Sequence, residues 1–204
     1  MKNKLRNSVF LLILVEFLLF SCKGKNSNQN DYTVTLFENS EYKLNLALFD
    51  TINKYDIEKN NSILTFYKLS NGKKNIYFAD SLYCMYPDIR FQDFNKDNVK
   101  DVLLFYSTGA RANPTYHLYI CDTTNKKLFH IEGFENIPNP DLDSINNIIT
   151  SIGLAGNNYY SFYRITPDYK LIDLGYDYKE NPSDSMQYEN AINNITRKDK
   201  QIKN

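Results

Sequence analysis

The sequence predicts an all-β fold, because its apolar and aromatic residues come in short runs that polar turn residues separate. The chain of 204 residues has 17 Tyr and 13 Phe but no Trp, and a high content of Tyr and Phe favours strands over helices. Successive runs begin roughly 10 to 15 residues apart, a spacing typical of all-β meanders. We therefore expect a single antiparallel domain at residues 32–180, either β-propeller-like or a sandwich meander.

The strands predicted in the first half of the domain alternate with turns of Asn, Asp, Gly and Lys. We expect strands at residues 33–37, 42–49, 63–69 and 75–79. Between the last two lies Asn71-Gly72, a dipeptide that strongly indicates a two-residue hairpin loop. The first half of the domain should therefore contain at least one tight hairpin.

The second half of the domain continues the same pattern. We expect strands at residues 88–92, 102–107, 116–121, 128–131, 145–152, 159–165 and 170–174. The unbroken apolar run of residues 102–106 is typical of a strand that is buried on both faces. Side chains alternate along the strand of residues 116–121, so His117, Tyr119 and Cys121 should share one face.

The C-terminal segment, residues 181–204, is polar and contains the one helix-like pattern of the chain. Tyr188, Ile192 and Ile195 follow Pro182-Ser183 at i, i+4 and i+7 spacing, which indicates a short amphipathic helix. We expect the last ten residues to form a polar tail.

The N-terminus resembles the signal of a bacterial lipoprotein. Its first seven positions include the bases Lys2, Lys4 and Arg6 and no acid. The apolar run of residues 9–20 is shorter than the about 20 apolar residues that span a bilayer, and it fits a secretion signal instead. It ends at Leu19-Phe20-Ser21-Cys22, which resembles a lipobox. We expect residues 1–21 to be removed and Cys22 to be lipidated; the alternatives are an ordinary secretion signal and a transmembrane anchor.

The residues after Cys22 indicate how the domain is presented at the membrane. Residues 23–30 are polar or Gly, so residues 22–31 should form the lipidated Cys and a flexible tether. Lys23-Gly24-Lys25 lacks the acidic run that some surface-exported lipoproteins carry. We therefore expect a lipid anchor in the outer membrane, with the domain on the periplasmic face.

The charge balance excludes one class of partner. The whole chain has 24 bases and 24 acids. Without the three bases and one acid of the signal, the remaining chain has 21 bases and 23 acids. A nearly neutral surface of this kind gives no electrostatic attraction for nucleic acid.

Two cysteines remain besides Cys22. Cys84 and Cys121 could form a disulfide in an oxidising periplasm. Two buried free thiols would explain them nearly as well, and the sequence leaves both alternatives open.

Residues 93–101 contain the clearest candidate for a metal site. Oxygen-bearing side chains occupy positions 1, 3, 5 and 9, as Asp93, Asn95, Asp97 and Asp101. Together with the carbonyl group of Val99, they would supply the hard oxygen ligands that Ca²⁺ prefers. The alternative is a solvated Asx-rich turn without metal, but three carboxylates within nine residues would repel each other without a cation.

The loop is not an EF-hand, which requires Gly at position 6 and Glu at position 12. Asn98 and Leu104 occupy these positions. Asn98 is an acceptable substitute, because Asn adopts the left-handed conformation more readily than most residues.

The Asp-x-Asn-x-Asp-x-x-x-Asp run and the elements after it resemble the FG-GAP/VCBS-type calcium-loop β family. The order of the strand 102–106, the loop 107–111, the strand 116–122 and the Pro138-Asn139-Pro140 turn is similar, and the resemblance covers residues 87–178. This family includes periplasmic inhibitors of lysozyme-type enzymes, which protect bacteria from peptidoglycan-cutting effectors.

The resemblance also implies a partner-binding loop after the strand that follows the calcium loop. Its residues would be Ser107, Thr108, Gly109, Arg111 and Asn113, with Tyr116 beside them. Arg111 could pair with the catalytic carboxylates of a lysozyme-like enzyme, because a guanidinium fork matches a carboxylate. A plain hairpin loop is the alternative.

The remaining chemistry-bearing residues give little support for catalysis. His117 and His130 are the only histidines, and each lies in a strand pattern, where we expect a core or surface position rather than a ligand. Glu132 and Glu135, or Asp141 and Asp143, could be proposed as a glycosidase pair, but they lie in turn-like segments and should be solvated. We therefore do not expect an enzyme.

Together these patterns favour a lipid-anchored, calcium-stabilised binding module in the periplasm. The resemblance adds an inhibitor or immunity function against lysozyme-like cell-wall hydrolases. The alternative is a structural or glycan- or protein-binding envelope lipoprotein without inhibitory activity.

Overall fold

A computed structural model describes residues 31–36, 41–51, 55–109 and 111–202. The chain divides into a unit of residues 1–31 and a unit of residues 32–204. The predicted signal, Cys22 and the tether up to residue 30 lie outside the described residues. Among the residues that are described, no helix is both long enough and apolar enough to cross a membrane.

The described part of the chain is mostly β, as the sequence predicts. Twelve strands form three four-stranded antiparallel sheets, and each sheet is a meander of consecutive strands. Such a meander is the unit from which β-propellers are built. One α-helix and a short 3₁₀ turn complete the described elements.

The element bounds are as follows. The first sheet contains β1 (Asp31–Thr35), β2 (Tyr42–Leu48), β3 (Ser62–Ser70) and β4 (Lys73–Leu82). The second contains β5 (Ile89–Gln92), β6 (Asp101–Gly109), β7 (Asn113–Asp122) and β8 (Lys127–His130). The third contains β9 (Asp141–Asp143), β10 (Ile148–Gly153), β11 (Tyr159–Ile165) and β12 (Leu171–Lys179). The 3₁₀ turn spans Phe134–Asn136, and the helix α1 spans Gln187–Ile202.

Three apolar clusters hold these layers together. The first joins the first and second sheets, through residues such as Leu46, Leu64, Leu104 and Tyr119. The second joins the second and third sheets, through residues such as Phe105, Leu118, Ile149 and Ile165. The third covers the third sheet with α1, through residues such as Ile148, Phe162, Ala191 and Ile195. The order of the layers is therefore sheet 1, sheet 2, sheet 3 and helix.

Strand β6 is buried on both faces, which confirms the prediction from its unbroken apolar run. Val102 and Leu104 belong to the cluster shared with the first sheet. Leu103 and Phe105 belong to the cluster shared with the third sheet. This central position explains why the strand shows no polar alternation over residues 102–105.

The Asn-Gly hairpin is also confirmed. Ser70 pairs with Lys73 across the β3–β4 turn. Asn71 and Gly72 between them have φ values of 50° and 74°, as a type I′ turn requires.

Several segments differ from the prediction, among them the strand predicted at residues 145–152 and the C-terminal tail. The strand predicted from residue 145 begins only at Ile148, because Asp143 closes a turn by accepting hydrogen bonds from the backbone N–H groups of Ile145 and Asn146, both at 3.0 Å. The prediction of a polar tail in the last ten residues is wrong up to residue 202, since α1 continues to Ile202.

The two cysteines of the domain are free thiols in the structure. Cys84 and Cys121 are both buried in the cluster between the first and second sheets. The Cys84 thiol donates a hydrogen bond to the carbonyl group of Tyr86, at 2.7 Å. Burial raises the pKa of the Cys84 thiol to about 12 and raises that of Cys121 as well, which favours the protonated thiol over the reactive thiolate.

Candidate functional site

The aspartate loop lies between β5 and β6. Gln92 ends β5 and Asp101 begins β6, so the loop connects two paired antiparallel strands. Lys96 and Asn98 both have positive φ values, 63° and 66°. Asn98 adopts the left-handed conformation that the loop requires at position 6, where an EF-hand has Gly.

Side-chain carboxylates and an amide organise the backbone of this loop. Asp93 accepts hydrogen bonds from the N–H groups of Lys96 at 2.7 Å and Asn98 at 2.9 Å. Asp97 accepts one from the N–H group of Val99 at 2.7 Å, and the Asn95 amide donates to Asp97 at 2.9 Å. The side chains at positions 1, 3 and 5 therefore all form hydrogen bonds with residues 95–99.

Asp101 has a structural role that the sequence does not reveal. Its carboxylate is fully buried and accepts hydrogen bonds from the N–H groups of Phe94 at 2.7 Å and Cys121 at 3.0 Å. It therefore fastens the loop to β7. Burial raises the pKa of Asp101 to about 7, and the negative charges of Asp97 and Asp93 contribute to the rise.

The residues of the loop fit a hard cation such as Ca²⁺. Within the described residues, no salt bridge pairs Asp93, Asp97 or Asp101 with a basic side chain. Each carboxylate oxygen has two lone pairs, so the hydrogen bonds to backbone N–H groups leave acceptor capacity for a metal. Asp97 and Val99 line an open cleft of about 410 Å³ beside this loop.

The predicted partner-binding residues separate into two groups. Thr108, Gly109 and Arg111 are exposed at the end of the β6–β7 hairpin. Arg111 has a φ value of 63°. These residues can reach a partner, whereas Ser107 is half-buried and pairs with Thr115 on β7.

Asn113 and Tyr116 are engaged within the protein. The Asn113 side chain accepts a hydrogen bond from the N–H group of Leu154 at 2.8 Å and donates one to its carbonyl group at 3.1 Å. Tyr116 is buried, packs edge-on against Phe105 and lies under the guanidinium group of Arg90. These two residues therefore support the hairpin rather than present a contact surface.

A second constellation joins His117, His130 and Glu135. His117 lies on β7, His130 ends β8, and Glu135 lies in the 3₁₀ turn that follows. One potential ligand atom from each residue lies within 4.8 Å of the others. The expectation that Glu135 is solvated is wrong for its Oε2 atom, which is buried, whereas Glu132 is exposed as expected.

The surroundings of His117 determine its protonation. The imidazole is buried, and its Nε2 atom lies 3.0 Å from the carbonyl oxygen of Tyr83. Burial lowers the pKa of His117, and the neighbouring His130 lowers it further. The ring is therefore neutral at physiological pH, the form that can act as a metal ligand.

The pairing of β7 with β8 could have indicated that the two histidines lie close together, but the pattern within each single strand could not. His117 and Tyr119 share a face of β7, and Tyr119 pairs with His130 across the β7–β8 hairpin. The register of that hairpin places both histidines on the same face. The position of Glu135 depends on how the chain turns after β8, which residue spacing does not determine.

Comparisons with protein-family models, with curated proteins and with solved structures found no match to this chain. Its function must therefore be inferred from the residues described above.

Proposed function

We propose that this chain is a lipid-anchored, calcium-stabilised binding module of the bacterial periplasm, with lysozyme-like cell-wall hydrolases as its partners. The observation on which the proposal depends is the loop at residues 93–101. The sequence at Cys22 supports the anchor, although this residue lies outside the described part of the chain. Lipidation would place the domain in the cell envelope, where Ca²⁺ and cell-wall enzymes are both encountered.

The charge distribution around the loop supports calcium binding. Burial raises the pKa of Asp101, and the negative charges of Asp97 and Asp93 raise it further. Within the described residues no basic side chain forms an ion pair with any of the three. A divalent cation would remove this repulsion. A short loop whose alternating side chains supply oxygen ligands binds Ca²⁺ in preference to softer metals.

The test of calcium binding is a thermal melt of the purified protein. Because a ligand that binds only the native state stabilises it by mass action, we expect EDTA to lower the Tm and excess Ca²⁺ to restore it. Asp97→Asn should abolish most of this response. This substitution removes the charge but keeps an oxygen that can accept the hydrogen bond from Val99.

Glu132→Gln is the matched control, since it removes one exposed carboxylate outside the loop and should leave the response to Ca²⁺ intact. A Tm that is the same in EDTA and in Ca²⁺ would contradict the calcium site. An equal response in Asp97→Asn and in the unaltered protein would do the same.

The end of the β6–β7 hairpin supports the choice of partner. Arg111 is exposed there beside Thr108 and Gly109, and a guanidinium group binds a carboxylate in a bidentate manner. Lysozyme-like enzymes have catalytic carboxylates in an open cleft. The bonds between Asn113 and Leu154 hold the base of the hairpin in place, so the exposed residues are presented on a fixed support.

Inhibition assays test the partner. We expect the purified protein to inhibit lysozyme-like muramidases, and Arg111→Ala to weaken the inhibition by at least about tenfold, as loss of an interfacial Arg anchor does. Lys73→Ala, at an exposed base outside the loop of residues 93–101, is the control. Absence of both inhibition and complex formation would reject the inhibitor function and favour an envelope lipoprotein that binds glycan or protein without inhibition.

A further inference from the structure

We propose that His117, His130 and Glu135 form a binding site for a zinc-class divalent metal ion at the seam between the first and second sheets. Two imidazole nitrogens and one carboxylate are a ligand set that zinc uses in three-ligand protein sites. The proposal is independent of the calcium loop, because it depends on other residues and on softer ligand atoms.

The first argument comes from unsatisfied polar atoms. Buried polar side-chain atoms nearly always have hydrogen-bond partners. In the described part of the chain, three such atoms lack a partner in the protein: His117 Nδ1, His130 Nε2 and Glu135 Oε2. All three belong to this cluster. A metal ion would satisfy the three atoms at once, whereas unrelated packing defects would not be expected to meet at one place.

The second argument is the direction of the lone pair on His117. The carbonyl oxygen of Tyr83 can only accept a hydrogen bond, so the Nε2 atom of His117 at 3.0 Å must carry the proton. In a neutral imidazole, the Nδ1 atom then has the free lone pair. Hydrogen bonding of the second ring nitrogen to a backbone carbonyl is the arrangement that orients histidine ligands in metalloproteins.

The third argument is the space beside the ligands. His117, His130 and Glu135 line one cavity of about 240 Å³. The same cavity is lined by Asp80 and Tyr119, which are joined by a hydrogen bond of 2.8 Å from the Tyr119 hydroxyl group. A three-ligand zinc ion keeps a fourth position for water or a ligand group, and the cavity provides room for it. Asp80 adds a second negative charge near the cation.

The distances require a small closure of the site. Ligand atoms at about 2.1 Å from a tetrahedral zinc ion are about 3.4 Å apart, whereas one potential ligand atom from each of the three residues lies within 4.8 Å of the others. Glu135 can supply this movement, because it is half-buried and lies on a 3₁₀ turn of three residues. The two histidines are held by the paired strands β7 and β8.

The experiment uses untagged full-length protein that has been treated with EDTA and dialysed. After equilibration with ZnCl₂, we expect one zinc ion per chain by elemental analysis. Substitution with Co²⁺ should give the intense visible absorption of a tetrahedral site. Glu135→Gln and His130→Gln should each weaken zinc binding by at least about tenfold in calorimetric titrations.

Glu132→Gln is the matched control, since this exposed carboxylate lies three residues before Glu135; it should bind zinc like the unaltered protein. Asp97→Asn should also bind zinc normally, which separates this site from the calcium loop. Substoichiometric zinc without a tetrahedral Co²⁺ spectrum would overturn the proposal. Unchanged zinc affinity in Glu135→Gln and His130→Gln would also overturn it. If both variants fail to fold, the Co²⁺ spectrum of the unaltered protein decides.

Discussion

At the scale of single residues, Asn113 joins two hairpins that are far apart in the sequence. Its side chain bonds to the backbone of Leu154 in the β10–β11 turn at 2.8 and 3.1 Å. The amide of Asn139 donates a further hydrogen bond to Asn113 at 2.8 Å and one to the carbonyl group of Ile152 at 2.7 Å. One half-buried amide therefore connects the second sheet to the third.

Asn113→Ala tests this connection. The substitution removes the side chain that makes the three hydrogen bonds described above, and we expect a loss of about 1 to 3 kcal/mol in the free energy of unfolding. Urea unfolding measures the change. Thr108→Ala, at an exposed site on the same hairpin, should change stability by less than about 0.5 kcal/mol. An equal effect of both substitutions would show that the amide network does not hold the hairpin.

The sequence predicted the site residues only where their chemistry is local. Asp93 and Asp97 bond to backbone groups two to five residues away, so their spacing alone indicated a tight loop. Asp101 bonds to Cys121, and His117 meets His130 across a hairpin. These contacts depend on strand register and on sheet packing, which one pattern along the chain cannot specify.

At the scale of elements, α1 shows the same difference between local spacing, which the sequence predicts, and tertiary contacts, which it does not. Its first turns follow the predicted apolar spacing, and Ala191, Ile192 and Ile195 pack on the third sheet. Its last turns are polar and were predicted to be a tail. The structure attaches them by charges instead: Asp199 pairs with Arg164 at 2.9 Å, and Lys198 donates to the carbonyl group of Leu174 at 3.4 Å.

Strand prediction succeeded where a run was long enough to show its pattern. The prediction of a strand at residues 159–165 is confirmed by β11, which spans Tyr159–Ile165. Strand β9 was missed, because Asp141–Asp143 is only three residues long and two of them are Asp. It exists through pairing with β10, as in the register of Ile149 with Leu142, and not through its own propensity.

The contact between α1 and the β9–β10 turn should depend on pH. The hydroxyl group of Tyr188 donates to Asp143 at 2.8 Å. Burial raises the pKa of Asp143, but hydrogen bonds from Asn146 and Tyr188 outweigh it and leave the pKa below the usual 3.8. The folded state therefore favours the charged carboxylate. Its stabilisation is present above the unfolded-state pKa and is lost as pH falls through the lowered folded-state value.

Asp143→Asn measures this contribution. We expect the difference in urea midpoint between the unaltered protein and Asp143→Asn to be present at about pH 6 and to shrink at about pH 3. Tyr188→Phe should reduce the same pH dependence. Tyr176→Phe is the control, since the Tyr176 hydroxyl group contacts Asn194 of α1 and not a carboxylate. A difference that stays constant with pH would contradict the role given to Asp143.

At the scale of the whole molecule, several strands belong to two cores each, and β6 and β10 are examples. Strand β6 contributes Leu104 to the cluster with the first sheet and Leu103 to the cluster with the third. Strand β10 contributes Ile149 to that second cluster and Ile148 to the cluster with α1. Loss of either strand would therefore open two layers, so the layers cannot unfold one at a time without exposing a neighbouring core.

This sharing of strands predicts a single cooperative unfolding transition. In urea, far-UV circular dichroism and the near-UV signal of the tyrosines should give the same midpoint, as two-state unfolding requires.

Leu104→Ala removes a fully buried side chain between the first two sheets and should lower stability by about 2 to 5 kcal/mol. Both probes should shift together, because the second sheet supports the third. Leu69→Ala, at an exposed position of β3, should have little effect; separate midpoints for the two probes in Leu104→Ala would show that the first sheet unfolds independently.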